Sequence, residues 1–176
     1  MRHRIMVKVL LAMGALWLLQ GCNTTGKPWW MEYEVKIRLQ DEWVNRSGHY
    51  PPIQVHVVGL NYQEAVKWSN FSMSRYWRPH SERPSHVYLV NLGGTRNRDH
   101  ILPLSDPIWR QWERAGAVHL FVMADLPGIF EDKPGTEDAR RLIVPLDRKR
   151  WPSRTIEIML WEDRITHWPS LIPVAQ

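Results

Sequence analysis

The sequence predicts a mostly β protein, a two-layer antiparallel β-sandwich with one or two short helices. Apolar and polar residues alternate with a period of two in several short stretches, and only two segments place apolar residues at helical spacing. Many short strands with few helices are typical of an antiparallel sandwich or barrel. The 176 residues suit one domain, and a hydrophobic fraction of 44% excludes a wholly disordered chain.

The strands are predicted from this alternation, in chain order. The first strand alternates four apolar residues with polar ones: Tyr33, Val35, Ile37 and Leu39. The others are predicted at residues 53–60, 87–92, 101–104, 118–124, 142–146, 155–161 and 164–168. Pro145 confines its strand to an edge or an end of a sheet, because proline cannot donate a ladder hydrogen bond.

The connections and inward positions of these strands add further expectations. Residues 93–98 begin with Gly93-Gly94 and predict a hairpin loop that returns the 101–104 strand to its neighbour. A phosphate-binding role for this loop is the alternative, but no helix opens after it. Four side chains are expected to be buried on facing sheets: Val55, Val57, Leu120 and Val122.

Two segments predict helices. Residues 61–71 place Ala65, Trp68 and Phe71 at helical spacing. Residues 105–115 begin with Ser-Asp-Pro, a signal for a helix start, and stop at a glycine. The 11 tryptophans are spread through the predicted elements. We interpret most of them as packing at the core and rim rather than as a platform for sugars.

The N-terminal residues have the pattern of a signal peptide. Basic residues precede an uncharged apolar run at 9–19, which is too short for a membrane span of about 20 residues. Leu19-Gln20-Gly21-Cys22 then resembles the lipobox of bacterial lipoproteins, with Gln20 in place of the commoner small residue. This resemblance implies cleavage before Cys22, a lipid on its sulfur and an acylated new amino terminus. The alternative is a free thiol beside an ordinary leader.

The residue after the cysteine bears on localisation. In the lipoprotein class, retention in the inner membrane usually goes with aspartate at this position, and here it is Asn23. The resemblance therefore implies the periplasmic face of the outer membrane, reached through acyl chains on Cys22. The predicted organisation is a signal peptide at 1–21, a lipidated cysteine and polar tether at 22–32, and a single sandwich domain at 33–176.

Charge and cysteine content exclude several classes of protein. The formal net charge is +5, but Arg2, Arg4 and Lys8 lie in the predicted leader. The mature chain keeps 20 basic and 18 acidic residues, a net +2, so we expect no nucleic-acid partner. A single cysteine excludes an intramolecular disulfide framework and any cysteine-based zinc cluster.

No catalytic motif is found in the sequence. It contains neither a Gly-x-Ser-x-Gly elbow nor a glycine-rich phosphate loop, and its histidines never form His-x-x-His or His-Glu-x-x-His. His56 and His119 lie at alternating strand positions, and we interpret them as surface or sheet histidines rather than metal ligands. We therefore predict no enzyme, no cofactor and no metal site.

Three stretches together resemble the TssJ family, the outer-membrane lipoproteins of the type VI secretion system. Residues 65–76 look like the family's aromatic helix segment, and residues 118–126 resemble the strand before its aromatic and basic turn, although Asp125-Leu126-Pro127 replaces that turn here. Residues 39–60 match the family's strand, polar loop and valine-rich strand, through Asn45, Gly48, Pro51, Pro52, Val55, Val57 and Leu60.

The resemblance implies a transthyretin-like sandwich without a catalytic role. In the family, the lipoprotein holds the periplasmic part of the inner-membrane protein TssM to the outer membrane, and the loop joining the first two strands contacts TssM. On this sequence the implied partner-binding residues are Asp41, Glu42, Trp43, Val44, Asn45, Arg46, Ser47, Gly48, His49 and Tyr50. A TssM-like periplasmic domain is therefore the expected partner.

The residue types in this loop agree with binding. Trp43, Arg46 and Tyr50 belong to the types that dominate interface hot spots, and we expect them to be exposed in the free protein. The alternative is a plain surface loop whose tryptophan tucks into the sandwich. For the whole chain, the alternative function is a lipid-anchored carbohydrate or peptidoglycan-binding module. A periplasmic hydrolase would need a nucleophile–base pair that the sequence does not display.

Overall fold

The computed structural model describes residues 33–43, 48–94 and 97–173. Within them, eight strands form two four-stranded sheets, and three short α-helices accompany them. The strands are β1 Glu34–Leu39, β2 Tyr50–Leu60, β3 Tyr88–Gly94, β4 Asp99–Leu102, β5 His119–Ala124, β6 Arg141–Pro145, β7 Thr155–Leu160 and β8 Ile165–Trp168. The helices are α1 Tyr62–Ser69, α2 Met73–Tyr76 and α3 Ile108–Arg114, with 3-10 turns at Gly135–Glu137 and Arg148–Arg150. The predicted β-sandwich is confirmed.

One strand pair is parallel, where an entirely antiparallel sandwich was expected. Sheet A has the order β4-β1-β7-β8, and sheet B has the order β3-β2-β5-β6. In sheet A, β1 and β7 run in the same direction, from the Glu34↔Thr155 pair to the Leu39↔Leu160 pair. Parallel neighbours need a long crossover connection, and here most of the domain forms that connection between β1 and β7. Alternation within each strand carries no information on this pairing.

Gly93 and Asn97 form an antiparallel bridge, as the loop predicted at residues 93–98 requires, but the expected return of the 101–104 strand to its neighbour is wrong. β3 is an edge strand of sheet B, whereas β4 pairs with β1 in sheet A, so the chain crosses between the sheets here. Gly93 has a φ of +119°, and a side chain there would meet the backbone oxygen of Pro51 at 2.3 Å. The carbonyl of Arg98 then accepts a hydrogen bond of 2.9 Å from the backbone N–H of Leu39, which starts the pairing of β4 with β1.

The main core lies between the two sheets. The four alternating residues of the first strand are fully buried, as are the four positions predicted on later strands: Val55, Val57, Leu120 and Val122. These four share sheet B instead of facing each other from two sheets, because β2 and β5 are antiparallel neighbours with Val57 opposite Val122. The prediction of burial is confirmed, and the prediction of facing sheets is wrong.

A second core covers the other face of sheet B. α1 begins after Asn61, whose side chain accepts a hydrogen bond from the Glu64 N–H and completes a capping box. α1 and α2 pack Trp68 and Tyr76 against this face. As a result β2 is buried on both sides from Val55 to Leu60, as in strands covered on both faces. His56 and His119 were interpreted as surface or sheet histidines, and both lie in strands, His56 buried in β2 and His119 half-buried in β5.

Most described tryptophans are packing residues, as predicted. Five of them are buried: Trp43, Trp68, Trp109, Trp112 and Trp151. Four of these five donate the indole N–H to a backbone carbonyl, at distances of 2.8 to 2.9 Å. Buried indoles need such partners, and each bond fixes a ring against a loop. Among the described residues, no helix is long and apolar enough to cross a membrane.

Candidate functional site

The predicted partner-binding loop lies at one end of the sandwich. It joins the last residue of β1 to the first residue of β2. The turn at 161–164 lies at the same end, because Leu160 is paired with Leu39, and so does the segment after β5, because Ala124 is paired with Val55. We call this the far end and define it by residues 41–43, 48–50, 125–138 and 161–164.

The opposite end holds the start of the described chain. The hydroxyl of Tyr33 donates to the carbonyl of Leu146 at 3.1 Å, and the N–H of Glu34 donates to the carbonyl of Arg154 at 2.9 Å. We call this the near end and define it by residues 33–34, 146–154 and 168–172. The two ends are separated by the length of β1, whose six residues span about 20 Å.

The described part of the predicted loop is split between exposed and buried residues. Asp41, Glu42, Gly48 and His49 are exposed. The predicted positions Val44, Asn45, Arg46 and Ser47 lie outside the described residues.

The exposure predicted for the two aromatic residues of this loop is wrong. Trp43 is 5% exposed and donates its indole N–H to the carbonyl of Leu160 at 2.9 Å. Tyr50 is 8% exposed, and its hydroxyl donates to Asp41 at 3.3 Å. Asp41 also pairs with Arg98 at 3.0 Å. Both rings fix the ends of the loop. They are buried because removing their apolar surface from water is favourable.

An apolar cleft of about 500 Å³ lies beside this loop. Its walls are Trp43, Pro51, Pro127, Gly128, Ile129, Phe130, Glu162 and Asp163. Ile129 is fully exposed, which is unusual for a large aliphatic side chain at the tip of a turn. Glu162 and Asp163 place two carboxyl groups on the rim. Sequence reasoning missed this cleft, and its only local signal was the pair Ile129-Phe130 inside a polar segment.

A partly buried ion-pair network fixes the segment that carries Ile129, with Arg140 and Asp138 buried and Asp132 at the surface. The guanidinium of Arg140 donates to both carboxyl oxygens of Asp138 at 2.9 Å and to Asp132 at 2.6 Å. Asp132 also accepts hydrogen bonds from the Ser72 hydroxyl and the Ser74 N–H beside α2. Burial alone would raise the pKa of Asp132, but these hydrogen bonds outweigh burial and hold it well below its usual range.

Arg141 makes a second set of bonds to the same segment. Its guanidinium donates to the carbonyls of Trp68 and Phe71 at the end of α1, at 2.7 and 2.9 Å. It also donates to the carbonyls of Gly135 and Lys133, at 2.7 and 2.5 Å. Burial lowers the pKa of this guanidinium. The far-end segment is therefore held against the helices by two buried arginines, and the cleft wall is preformed.

The other titratable pair is buried away from the cleft. Nδ1 of His56 lies 2.7 Å from the Tyr76 hydroxyl under α2. Burial, together with the positive charge of Arg83, lowers the pKa of His56 to about 4, and burial raises the pKa of Tyr76. Across residues 33–43, 48–94 and 97–173, no group of three or more histidine, cysteine, aspartate or glutamate side chains could hold a metal ion.

Comparison with known proteins finds solved structures with a similar fold. No protein-family model matches the chain, and no curated protein matches it. A solved structure of Serratia marcescens Lip, described as a membrane-bound component of the type VI secretion system, is 14% identical, with a TM-score of 0.46 over 78% of this chain and 96% of that chain. A chain from the structure described as the TssM C-terminal domain from EAEC is 12% identical, with a TM-score of 0.48 over 77% and 98%.

A third solved structure is the lipoprotein TssJ1 from Pseudomonas aeruginosa, which is 11% identical, with a TM-score of 0.39 over 81% of this chain and 98% of that chain. At these identities each likeness concerns the fold alone. The fold and the far end define a two-sheet β-sandwich with an apolar, acid-rimmed cleft at one end. The solved structures similar to this sandwich include one described as a membrane-bound component and one described as a lipoprotein of the type VI secretion system.

Proposed function

We propose that this chain is an outer-membrane lipoprotein that holds the periplasmic domain of a TssM-like inner-membrane protein. In this proposal Cys22 carries the acyl chains, and the sandwich binds its partner without performing catalysis. Support comes from the lipobox pattern before Cys22 and from the three stretches that resemble the TssJ family. Two or more acyl chains anchor a protein stably where one chain does not, because each buried methylene contributes about 0.8 kcal/mol.

The observation that carries the proposal is the placement of the two ends. The described chain begins at the near end, at Tyr33, and the predicted partner-binding loop lies about 20 Å away at the far end. A tether that enters one end leaves the other end free to meet a partner. A protein that is anchored at one end and binds its partner at the other end requires this arrangement.

We propose a docking surface that takes the burial of Trp43 and Tyr50 into account. Since Trp43 and Tyr50 serve the core, the contact surface comprises the exposed residues Glu42 and His49 together with the cleft beside Ile129. An apolar side chain of the partner would fill the cleft, and polar groups of the partner would face the rim at Glu162 and Asp163, where Asp163 is paired with Arg164 at 3.0 Å. Hot spots of this kind combine a desolvated apolar anchor with a polar rim.

The anchor is tested by replacing the thiol. Cys22→Ser removes the only sulfur that can take the lipid, so we expect the variant to leave the outer-membrane fraction and to incorporate no labelled palmitate. Membrane fractionation and palmitate labelling of the full chain measure both effects. A Ser variant that still labels and still sediments with the outer membrane would rule out the lipoprotein function.

A further inference from the structure

The near end carries a cluster of cations. Arg148, Lys149 and Arg150 form the 3-10 turn after β6, and Arg154 lies just before β7. Asp147 is the acidic residue of this segment, and its carboxylate accepts a hydrogen bond from the N–H of Lys149. Lys149 and Arg154 are both exposed, and neither side chain forms an ion pair within the described part of the chain.

Two exposed apolar side chains flank these cations. Trp168 is 56% exposed and lies opposite Glu157 in the antiparallel pairing of β7 with β8. Ile172 is 42% exposed, and its backbone exchanges hydrogen bonds of 2.8 and 2.9 Å with Arg150. A tryptophan and an aliphatic residue beside arginines and lysines are typical of surfaces that rest in lipid headgroups, because an indole ring prefers that layer.

The cluster is fixed beside the point where the described chain begins. The Tyr33 hydroxyl bonds to Leu146, its ring lies edge-on to Trp151 at 6.4 Å, and Glu34 bonds to the carbonyl of Arg154. Cys22 lies 11 residues before Tyr33, and 11 extended residues reach at most about 40 Å. An anchor at Cys22 therefore joins the domain beside this surface, which lies within reach of the membrane.

We propose that the near-end patch, formed by Arg148, Lys149, Arg150, Arg154, Trp168 and Ile172, binds anionic phospholipid headgroups of the membrane that holds the anchor. The inference rests on the proposed anchor at Cys22. A cation within about a Debye length of an anionic surface gains roughly fivefold in affinity. The patch adds a second attachment to the lipid chains and holds the far end away from the membrane, toward its partner.

The test uses the mature chain, residues 22–176, with Cys22→Ser to remove the lipid. Every described strand and helix follows residue 33, so this chain keeps the whole described core. We expect it to bind vesicles of equal parts phosphatidylglycerol and phosphatidylcholine and to bind vesicles of phosphatidylcholine alone much more weakly. Co-sedimentation measures both affinities.

Two double variants with the same charge change locate the contact. Lys149→Gln with Arg154→Gln should weaken binding to the anionic vesicles by about twentyfold, two cations at roughly fivefold each. Lys133→Gln with Arg164→Gln removes two far-end cations, 48% and 56% exposed, and should change the affinity less than about twofold because they lie beyond a Debye length.

Three results would overturn the inference. Equal losses in the two double variants would mean that net charge alone drives binding. Equal affinity for both kinds of vesicle would mean that anionic headgroups are not recognised. Preferential sedimentation with isolated peptidoglycan would assign the patch to the cell wall. Palmitate labelling of the full chain separates the two proposals. Vesicle binding without labelling would support the lipid-binding patch and rule out the anchor at Cys22.

Discussion

Trp43 closes the core at the far end of the sandwich. Its ring packs with the residues between the two sheets, and its indole N–H reaches the carbonyl of Leu160 on β7. One side chain thus ties the loop after β1 to the neighbouring parallel strand. Glu42, which precedes it, is exposed. The two neighbours therefore allow stability and binding to be separated at this loop.

Truncating Trp43 should destabilise the domain. For Trp43→Ala we expect the free energy of unfolding to fall by about 3–5 kcal/mol, because a large buried ring and its hydrogen bond are lost. Glu42→Ala should change it by less than about 0.5 kcal/mol, as expected for an exposed side chain. Urea unfolding of both variants measures the difference. A Trp43 variant as stable as the parent would mean that the ring is not part of the core.

His56 should make stability depend on pH. Its folded pKa of about 4 lies below the usual value near 6.5, so between these two values the unfolded chain binds a proton that the folded chain does not. Stability therefore falls as pH falls through this window. At pH 5 the titration of His56 lowers the free energy of unfolding by about 2 kcal/mol.

The variant His56→Gln isolates the contribution of His56 to this pH dependence. Glutamine retains an acceptor for the Tyr76 hydroxyl but does not titrate, so the loss of stability between pH 7 and pH 5 should shrink by about 2 kcal/mol. Burial also lowers the pKa values of His100 and His119, and their smaller contributions remain in both proteins. Denaturant unfolding at the two pH values provides the comparison, and an unchanged pH dependence would exclude His56 as its source.

At the scale of elements, the segment between β5 and β6 is long but held at several points. Arg140 binds its two aspartates, and Arg141 binds carbonyls of the same segment and of the end of α1. Arg140 immediately precedes β6, and Arg141 is its first residue. The segment that carries Ile129 is therefore held in place. This reduces the conformational entropy that the segment would lose when a partner binds.

Replacing Arg141 by lysine tests this bracing. A lysine ammonium has three donors on one atom and does not reproduce a planar fork that serves four carbonyls. For Arg141→Lys we expect a loss of about 3 kcal/mol or more in the free energy of unfolding, since at least two buried carbonyls lose charge-assisted bonds. Arg164→Lys, at an exposed pair with Asp163, should cost less than about 0.5 kcal/mol. Equal effects in urea unfolding would contradict the bracing role.

Local patterns predict elements better than they predict neighbours. Alternation located β1, and helical spacing located α1, because both signals lie within a few residues. The parallel pairing of β1 with β7 and the crossing from β3 to β4 depend on contacts far apart in the chain. The run from Val55 to Leu60 did contain a usable signal, since Val57 and Val58 are both apolar and indicate a strand buried on both faces.

The candidate site could be predicted only in part for the same reason. The position of the loop after β1 follows from strand order alone. The cleft beside it does not, because Trp43 and Ile129 are brought together by the pairing of β2 with β5. The buried roles of Arg140 and Arg141 were likewise hidden, since arginines in a sequence are usually exposed and only their partners show otherwise.

At the scale of the whole molecule, the sandwich has two chemically different ends. The near end combines the start of the described chain with cations and Trp168, and the far end combines an apolar cleft with the carboxyl groups of Glu162 and Asp163. The rigid sheets between them keep these surfaces about 20 Å apart. In the proposed function, this separation allows one end to face the membrane and the other end to face the partner.

Titration calorimetry with the periplasmic domain of a TssM-like protein tests the central proposal most directly. Ile129→Ser removes the exposed apolar tip of the cleft, and we expect the affinity to fall about thirtyfold, as for a hot spot of roughly 2 kcal/mol. The melting temperature should stay unchanged, because Ile129 is fully exposed. Lys149→Gln at the near end is the control and should leave the affinity unchanged. Binding that is unaffected by Ile129→Ser but weakened by Lys149→Gln would contradict the account and place the partner at the near end.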